Sequence, residues 1–264
     1  IGMALTLIVF QGLLQAFNIE ITELSHFVQI IFLGIIAYAF RKTTILESLF
    51  ERLYTTTYAP PPTGSIRDRE LFSKALRLTH GQVVGKNILL EFDPTFDYEK
   101  AIENFVDEAS ANAESLAVFT SKGSAIHSAL SNRSDIKFLI LTQSISTPQA
   151  NASENEILLP ANNFSLLLDA LNKVLKAYPE RNSSVVFDNL SSLVLLSCFE
   201  KTYGFLRYAL ELLAMDNATS LFLFDPRAHD VKVASGLRSL FSDQVTYGKE
   251  GLRVVRIPEP MLEA

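Results

Sequence analysis

The turn after the first apolar strand has neither glycine nor lysine. Asn87-Ile88-Leu89-Leu90-Glu91-Phe92 reads as a buried strand and a helix is expected from about Tyr98, with Asp93-Pro94-Thr95-Phe96-Asp97 between them. A phosphate cradle at this place needs glycines for close backbone approach and a terminal lysine. Two carboxylates stand there instead, which excludes a glycine-rich cradle. Cysteine is almost absent: Cys198 is the only one, in Leu195-Leu196-Ser197-Cys198-Phe199. It cannot form an internal disulfide, and its apolar setting reads as core. The histidines are His26, His80, His127 and His229, and none has metal-ligand spacing with another His or Cys. There is no run of Lys and Arg, and the net charge is −6; a nucleic-acid binder would need a basic face. No Gly-x-Ser-x-Gly nucleophile elbow occurs, and no internal repeat.

What is present is a large apolar reserve. The 264 residues are 48% hydrophobic and 20% charged, enough for a sizeable α/β domain and a smaller element. Ile1–Phe17 is apolar except Gln11 and Gln15; Asn18–His26 is polar; Phe27–Phe40 is apolar except Gln29 and extends back to Ile21. Each run is near the lower limit of the roughly 17–25 residues that cross a bilayer. Arg41-Lys42 follows, and basic residues at the end of a span favour the cytoplasmic side. Residues 1–42 are therefore expected to be a transmembrane helical hairpin at the cell membrane, with the C-terminal domain cytoplasmic. The start at Ile1 inside an apolar run reads as the end of a longer membrane region. The alternative is a hairpin of two buried helices covered by a partner surface, since neither has a clear polar stripe.

Thr43–Thr57 reads as an amphipathic helix, with Ile45, Leu46, Leu49, Phe50, Leu53 and Tyr54 at helical spacing. Three settings suit it: a coiled coil joining two protomers, the membrane surface, or the face of the next domain. Ala59-Pro60-Pro61-Pro62-Thr63-Gly64 is a stiff linker that closes this 43–64 segment. Residues 65–264 are the main domain. Helices are expected over Ile66–Thr79, Tyr98–Ala113, Gly123–Leu130, Asn163–Tyr178, Leu190–Met215 (in two pieces) and His229–Phe241. Strands are expected over Asn87–Phe92, Ser115–Thr120, Ile136–Thr142, Ser184–Asp188 and Thr219–Phe224. Gln143–Asn155 reads as a polar loop, and Asp243–Tyr247 with Leu252–Ile257 as a closing hairpin. Short apolar strands alternating with helices predict an α/β fold: a mostly parallel central sheet with helices on both faces and an antiparallel edge. Asn-x-Ser/Thr triplets begin at Asn132, Asn151, Asn163, Asn182, Asn189 and Asn217. Several fall inside predicted elements and, with a cytoplasmic domain expected, read as composition rather than glycosylation.

Ser184-Val185-Val186-Phe187-Asp188-Asn189 is an apolar strand ending in a carboxylate. Such an aspartate can hold the magnesium of a nucleotide; Asp188 or Asn189 can equally cap the helix at Leu190. With the long helix, the strand Thr219–Phe224 and the closing hairpin that follow, the segment resembles the RecA/KaiC-like ATPase superfamily, in particular archaeal members that have lost the phosphate loop. The resemblance covers roughly residues 66–258. It implies a central sheet with helices on both faces and, in active members, a nucleotide between subunits. Asp188 matches the magnesium-aspartate position. The hairpin matches one that carries a basic finger in active members, a role that Lys249 or Arg253 would fill; solvated turn charges are the plainer reading.

The departure lies between Phe92 and Tyr98. Glu91, Asp93, Asp97 and Glu99 crowd the place where amides and a lysine should neutralise phosphate. At an effective dielectric near 20, a carboxylate about 6–8 Å from a phosphate repels it by roughly 2–3 kcal/mol before screening. Asp93 and Asp97 also suit a helix N-terminus. Gly81-Gln82-Val83-Val84-Gly85-Lys86 imitates a phosphate loop but precedes the strand and is one residue short, so it reads as a turn. Thr120-Ser121-Lys122-Gly123-Ser124 reads as a capped turn. The expectation is a membrane-anchored signalling or regulatory protein. Its RecA/KaiC-like domain is catalytically inactive, takes no cofactor, and works through a protein partner or as a homo-oligomer. The alternatives are a nucleotide-binding domain with ATP and magnesium at an atypical site on Asp188, and a small-ligand sensor at the strand ends.

Overall fold

The computed structural model of the chain describes residues 21–55 and 70–258, apart from 152 and 154. The chain divides into two units, residues 1–47 and 48–264. Helix α1 (Ile21–Thr55) is 35 residues long and carries Ile30, Phe32, Leu33 and Ile35 exposed in the first unit.

Among the described residues no helix is long and apolar enough to cross a membrane, which overturns the expected transmembrane hairpin. The apolar run Phe27–Phe40 is about 14 residues, or about 21 Å of helix, against a hydrocarbon core of about 30 Å, and the extension back to Ile21 brings in Glu23, Ser25 and His26. It is also broken by Gln29, and the helix continues through Arg41-Lys42 rather than ending there. The cell-membrane location, the cytoplasmic side assigned from Arg41-Lys42, the membrane as a partner and the membrane-anchored signalling arrangement all lose their basis. The other expected span, Ile1–Phe17, lies outside the described residues. So do the whole proline linker Ala59–Gly64 and the start of the helix expected at Ile66.

In the second unit the last turns of α1 pack on the domain, the third of the three settings considered. Phe50 and Leu53 are buried, and Tyr54 meets the Tyr178 ring edge-on at 5.4 Å. Two short helices follow, α2 (Phe72–Ala75) and α3 (His80–Val83). The single helix expected over Ile66–Thr79 is broken because Arg77 takes a left-handed backbone (φ 62°). Then come β1 (Asn87–Phe92), α4 (Glu99–Ala111), β2 (Ser115–Thr120), α5 (Ala125–Leu130), β3 (Ile136–Thr142), β4 (Gln149–Ala150) and β5 (Glu156–Pro160). The rest is α6 (Phe164–Lys176), β6 (Ser183–Phe187), α7 (Leu190–Leu196), α8 (Phe199–Met215), β7 (Thr219–Phe224), a 3-10 turn (Pro226–Ala228), α9 (Val231–Arg238), β8 (Asp243–Gly248) and β9 (Gly251–Arg256).

The strands form one nine-stranded sheet in the order β4-β5-β3-β2-β6-β7-β1-β8-β9. Its interior pairs are parallel and its outermost pairs, β4–β5 and β8–β9, are antiparallel. Fully buried strands read as continuous apolar runs because both faces are covered. Ile88, Leu90, Val118 and Leu223 point to a core shared with Ile102 and Phe105 of α4. The intervening positions point the other way: Phe187 stacks between Phe119 (4.4 Å) and Phe222 (4.6 Å), with Phe205 of α8 against its edge. The parallel register lines up the C-terminal ends of β1, β2, β6 and β7. Phe119 pairs with Phe187, so Thr120 and Asp188 emerge side by side.

Candidate functional site

The upper rim of the sheet gathers the carboxylates singled out in the sequence. Asp188 follows β6, is 5% exposed, and its amide donates to the Phe119 carbonyl at 2.8 Å. Thr120 Oγ1 donates to Asp188 Oδ2 at 2.6 Å. Thr120 Oγ1 and Ser124 Oγ lie 2.7 Å apart. Ser124 Oγ also accepts from the His127 amide at 3.0 Å, capping α5. Asn189, not Asp188, caps α7: its Oδ1 accepts from the Ser192 amide at 2.8 Å.

Burial pushes the Asp188 carboxyl above the usual carboxylate range; hydrogen bonds from Thr120, Ser124 and Asn189 oppose the shift, and the charge of Glu99 adds to it. One oxygen is already engaged and almost none of the residue meets solvent. The oxygen that Thr120 holds is not free for a magnesium ion. Among the described residues no group of three or more His, Cys, Asp or Glu could hold a metal ion.

The segment after β1 lies near enough to Asp188 for the charges of Glu99 and Asp188 to act on one another and on Tyr98. Tyr98 stacks on Phe92 with ring centroids 4.1 Å apart and is 8% exposed. Burial, and then the negative field of Asp188, Glu99 and Asp225, drives its hydroxyl far above the ordinary tyrosine value. Asp93 Oδ1 accepts from the Thr95 amide (2.9 Å) and hydroxyl (2.5 Å), so the turn is a local Asx-type structure.

Two of the four carboxylates expected to crowd this end are neutralised by arginines that sequence reasoning missed. Arg227, on the 3-10 turn after β7, places Nη1 2.8 Å from Asp93 Oδ2 and Nη2 2.8 Å from Oδ1. Arg238 of α9 reaches Glu91 with Nε at 2.5 Å and Nη2 at 2.8 Å. Hydrogen bonds from Thr95, then the Arg227 charge, hold the Asp93 carboxyl below its ordinary value. The readable signal was Asp225-Pro226-Arg227 at a strand end, where Asp225 Oδ1 accepts from the Arg227 amide at 3.0 Å and turns the arginine toward β1. Ser191 Oγ, 3.0 Å from the Asp225 amide, ties the ends of β6 and β7 together.

The hairpin residues lie apart from this cluster in bonding. Arg253 pairs with Glu250 at 2.8 Å and Lys249 sits on the exposed turn. Gly81–Lys86 forms α3 and the turn into β1.

A second ionic cluster lies at the lower rim. His80 Nδ1 is 2.9 Å from Glu108 Oε1, and its Nε2 is 3.1 Å from Glu114 Oε1. Both glutamates are buried; Glu108 Oε2 also accepts from the Ser73 amide at 2.9 Å and Glu114 Oε2 from Ser184 Oγ at 2.5 Å. Hydrogen bonds to Glu108 and then Glu114 raise the His80 pKa to about 9.

No family model matches the sequence, and no curated protein matches it. A solved protein from Pyrococcus horikoshii OT3, the subject of a structural study, is similar in structure with a TM-score of 0.49 at 10% identity, over 67% of this chain and 89% of that one.

Proposed function

We propose that residues 65–264 are a protein-interaction domain built on a RecA/KaiC-like sheet whose nucleotide position is closed. The observation that carries this reading is the state of Asp188: a buried carboxylate capped by Thr120 at 2.6 Å, behind a turn with no glycine and no lysine. A working phosphate site presents unpaired amides and cations to solvent. Here Arg227, the cation that reaches the turn from the end of β7, is spent on Asp93. What remains usable is the exterior of a rigid sheet, which suits a binding role.

Titration calorimetry of the whole chain with ATP and magnesium tests the reading, and no heat of binding is expected. The nucleotide-binding alternative keeps one supporting observation. The Arg227–Asp93 pair is half exposed, with the Arg227 side chain at 52%, so a phosphate could exchange for Asp93. Micromolar binding that disappears in Asp188→Ala would establish that alternative and remove the interaction reading.

A further inference from the structure

The piece of chain from Leu71 to Val84 leads into β1 and holds two helices of four residues each, α2 and α3. Helices this short do not persist by themselves, so the segment is held by what it touches. Phe72, Leu76 and Val83 are buried, and the Phe72 ring meets Phe105 of α4 edge-on at 5.2 Å. Leu76, Leu78 and Val84 also border an open groove of about 720 Å³, so part of the segment's surface meets solvent rather than protein. Its exit is anchored separately. The Gly85 amide donates to Thr219 Oγ1 at 3.0 Å, and Gly85 takes a left-handed φ of +76°.

A polar cluster joins the segment to two other parts of the domain. His80 Nδ1 lies 2.9 Å from Glu108 Oε1 of α4, and Nε2 lies 3.1 Å from Glu114 Oε1 in the turn before β2. A neutral imidazole has one N–H and can donate to only one of them. With both ring nitrogens facing carboxylate oxygens, the arrangement calls for the imidazolium. Both glutamates are buried. Their second oxygens are already taken, by the amide of Ser73, itself in the segment, and by the Ser184 hydroxyl. Glu108 and Glu114 are the charges that act on the ring, and they raise its pKa, in agreement with the geometry. Once the proton leaves, one ring nitrogen turns a lone pair toward a carboxylate, and two buried carboxylates lose the cation between them.

We propose that His80 is a proton-held latch: with the imidazolium in place residues 71–84 dock on α4, and when the ring loses its proton the segment swings out from its Gly85 end and bares Phe105 while the sheet stays intact. Local opening of this kind draws on the least stable unit of a fold rather than on the whole. The latch works whether or not the domain binds a partner.

The chain has no tryptophan. A Leu78→Trp variant of the full chain therefore places a single indole on the segment, at a partly buried position beside the groove. Acrylamide quenching of that indole and far-ultraviolet circular dichroism are followed from pH 6 to about 10. The expected result is a rise in quenching with a midpoint near pH 9 and no loss of circular dichroism. The opening equilibrium should shift by on the order of a hundredfold across that range. When His80→Gln is added, quenching should already be high at pH 6 and indifferent to pH. Amide exchange of the parent chain, corrected for the intrinsic rate, gives the same reading without a substitution. The Leu76 and Leu78 amides, bonded to carbonyls of α2, should lose protection with rising pH while those of β2 and β3 keep it. Three results would overturn the proposal: quenching and protection that do not change with pH, a change that coincides with loss of circular dichroism, or a pH response that survives His80→Gln.

Discussion

Arg227 grips Asp93 with both terminal guanidinium nitrogens, Nη1 and Nη2, at 2.8 Å, joining the end of β7 to the turn after β1. The pair replaces the repulsion expected of an acidic strand end with a neutral, two-pronged contact. Because Arg227 is 52% exposed on its side chain, the contact organises the rim more than it stabilises the fold. Arg227→Ala should cost less than about 1 kcal/mol in urea unfolding. A loss well beyond about 2 kcal/mol would mean that the clamp holds the sheet ends together.

Asp188 separates structural from chemical roles. Asp188→Asn keeps an acceptor for Thr120 and removes a buried charge, so its stability should stay within about 1 kcal/mol of the parent chain. Asp188→Ala strands the Thr120 and Ser124 hydroxyls and should cost about 1–3 kcal/mol. If Asp188→Ala unfolds at the same urea concentration as the parent, the hydroxyl chain has no structural weight and the reading of a sealed site weakens.

His80 gives the domain a pH dependence. Its folded-state pKa, about 9, lies above the unfolded value of 6.5. The extra stability is therefore fully present below about pH 6.5 and is lost as pH rises through about 9. The window amounts to on the order of 3 kcal/mol. Melts should show Tm falling between about pH 7 and 9.5, and His80→Gln should flatten that fall while lowering stability at pH 6, because it leaves Glu108 and Glu114 buried without a cation. A pH-independent Tm across this range would contradict it.

Gly85 belongs to the segment that imitates a phosphate loop, and its reason for being glycine is local. Its φ is +76°, and an added Cβ would lie 2.3 Å from Asn217 Oδ1. Gly85→Ala should destabilise by about 1–2 kcal/mol, with no effect on any ligand. Chemical denaturation checks the size of the loss.

Much of the sheet was legible because buried parallel strands are short unbroken apolar runs. Asn87–Phe92, Ser115–Thr120, Ile136–Thr142 and Thr219–Phe224 were read at the bounds they adopt. Strand β5 was not, because Glu156–Pro160 is brief, follows a polar stretch and ends in proline; its parallel pairing with β3 is a long-range fact. The break after α2 did leave a local sign. Thr79 stands three residues before Gln82, whose Oε1 accepts from the Thr79 amide at 2.9 Å, the mark of a new helix start. The hairpin expected at the membrane failed for a different reason. Hydropathy alone does not stop a helix, and Arg41-Lys42 are good helix formers that let α1 continue. Of the site, Asp188 and the acidic turn were legible as residue types, but the arginine partners of Asp93 and Glu91 lie 134 and 147 positions away along the chain. Only the strand order brings them near.

The column of Phe119, Phe187 and Phe222 has a spectroscopic use. Adjacent ring planes in it are only 12° and 3° from parallel. The chain has no tryptophan, so no indole signal masks these rings in the near ultraviolet. Protons of the middle ring are shielded from both sides and should resonate far upfield of free phenylalanine. Assembly of the sheet centre can thus be watched in the unlabelled protein, separately from events at either rim.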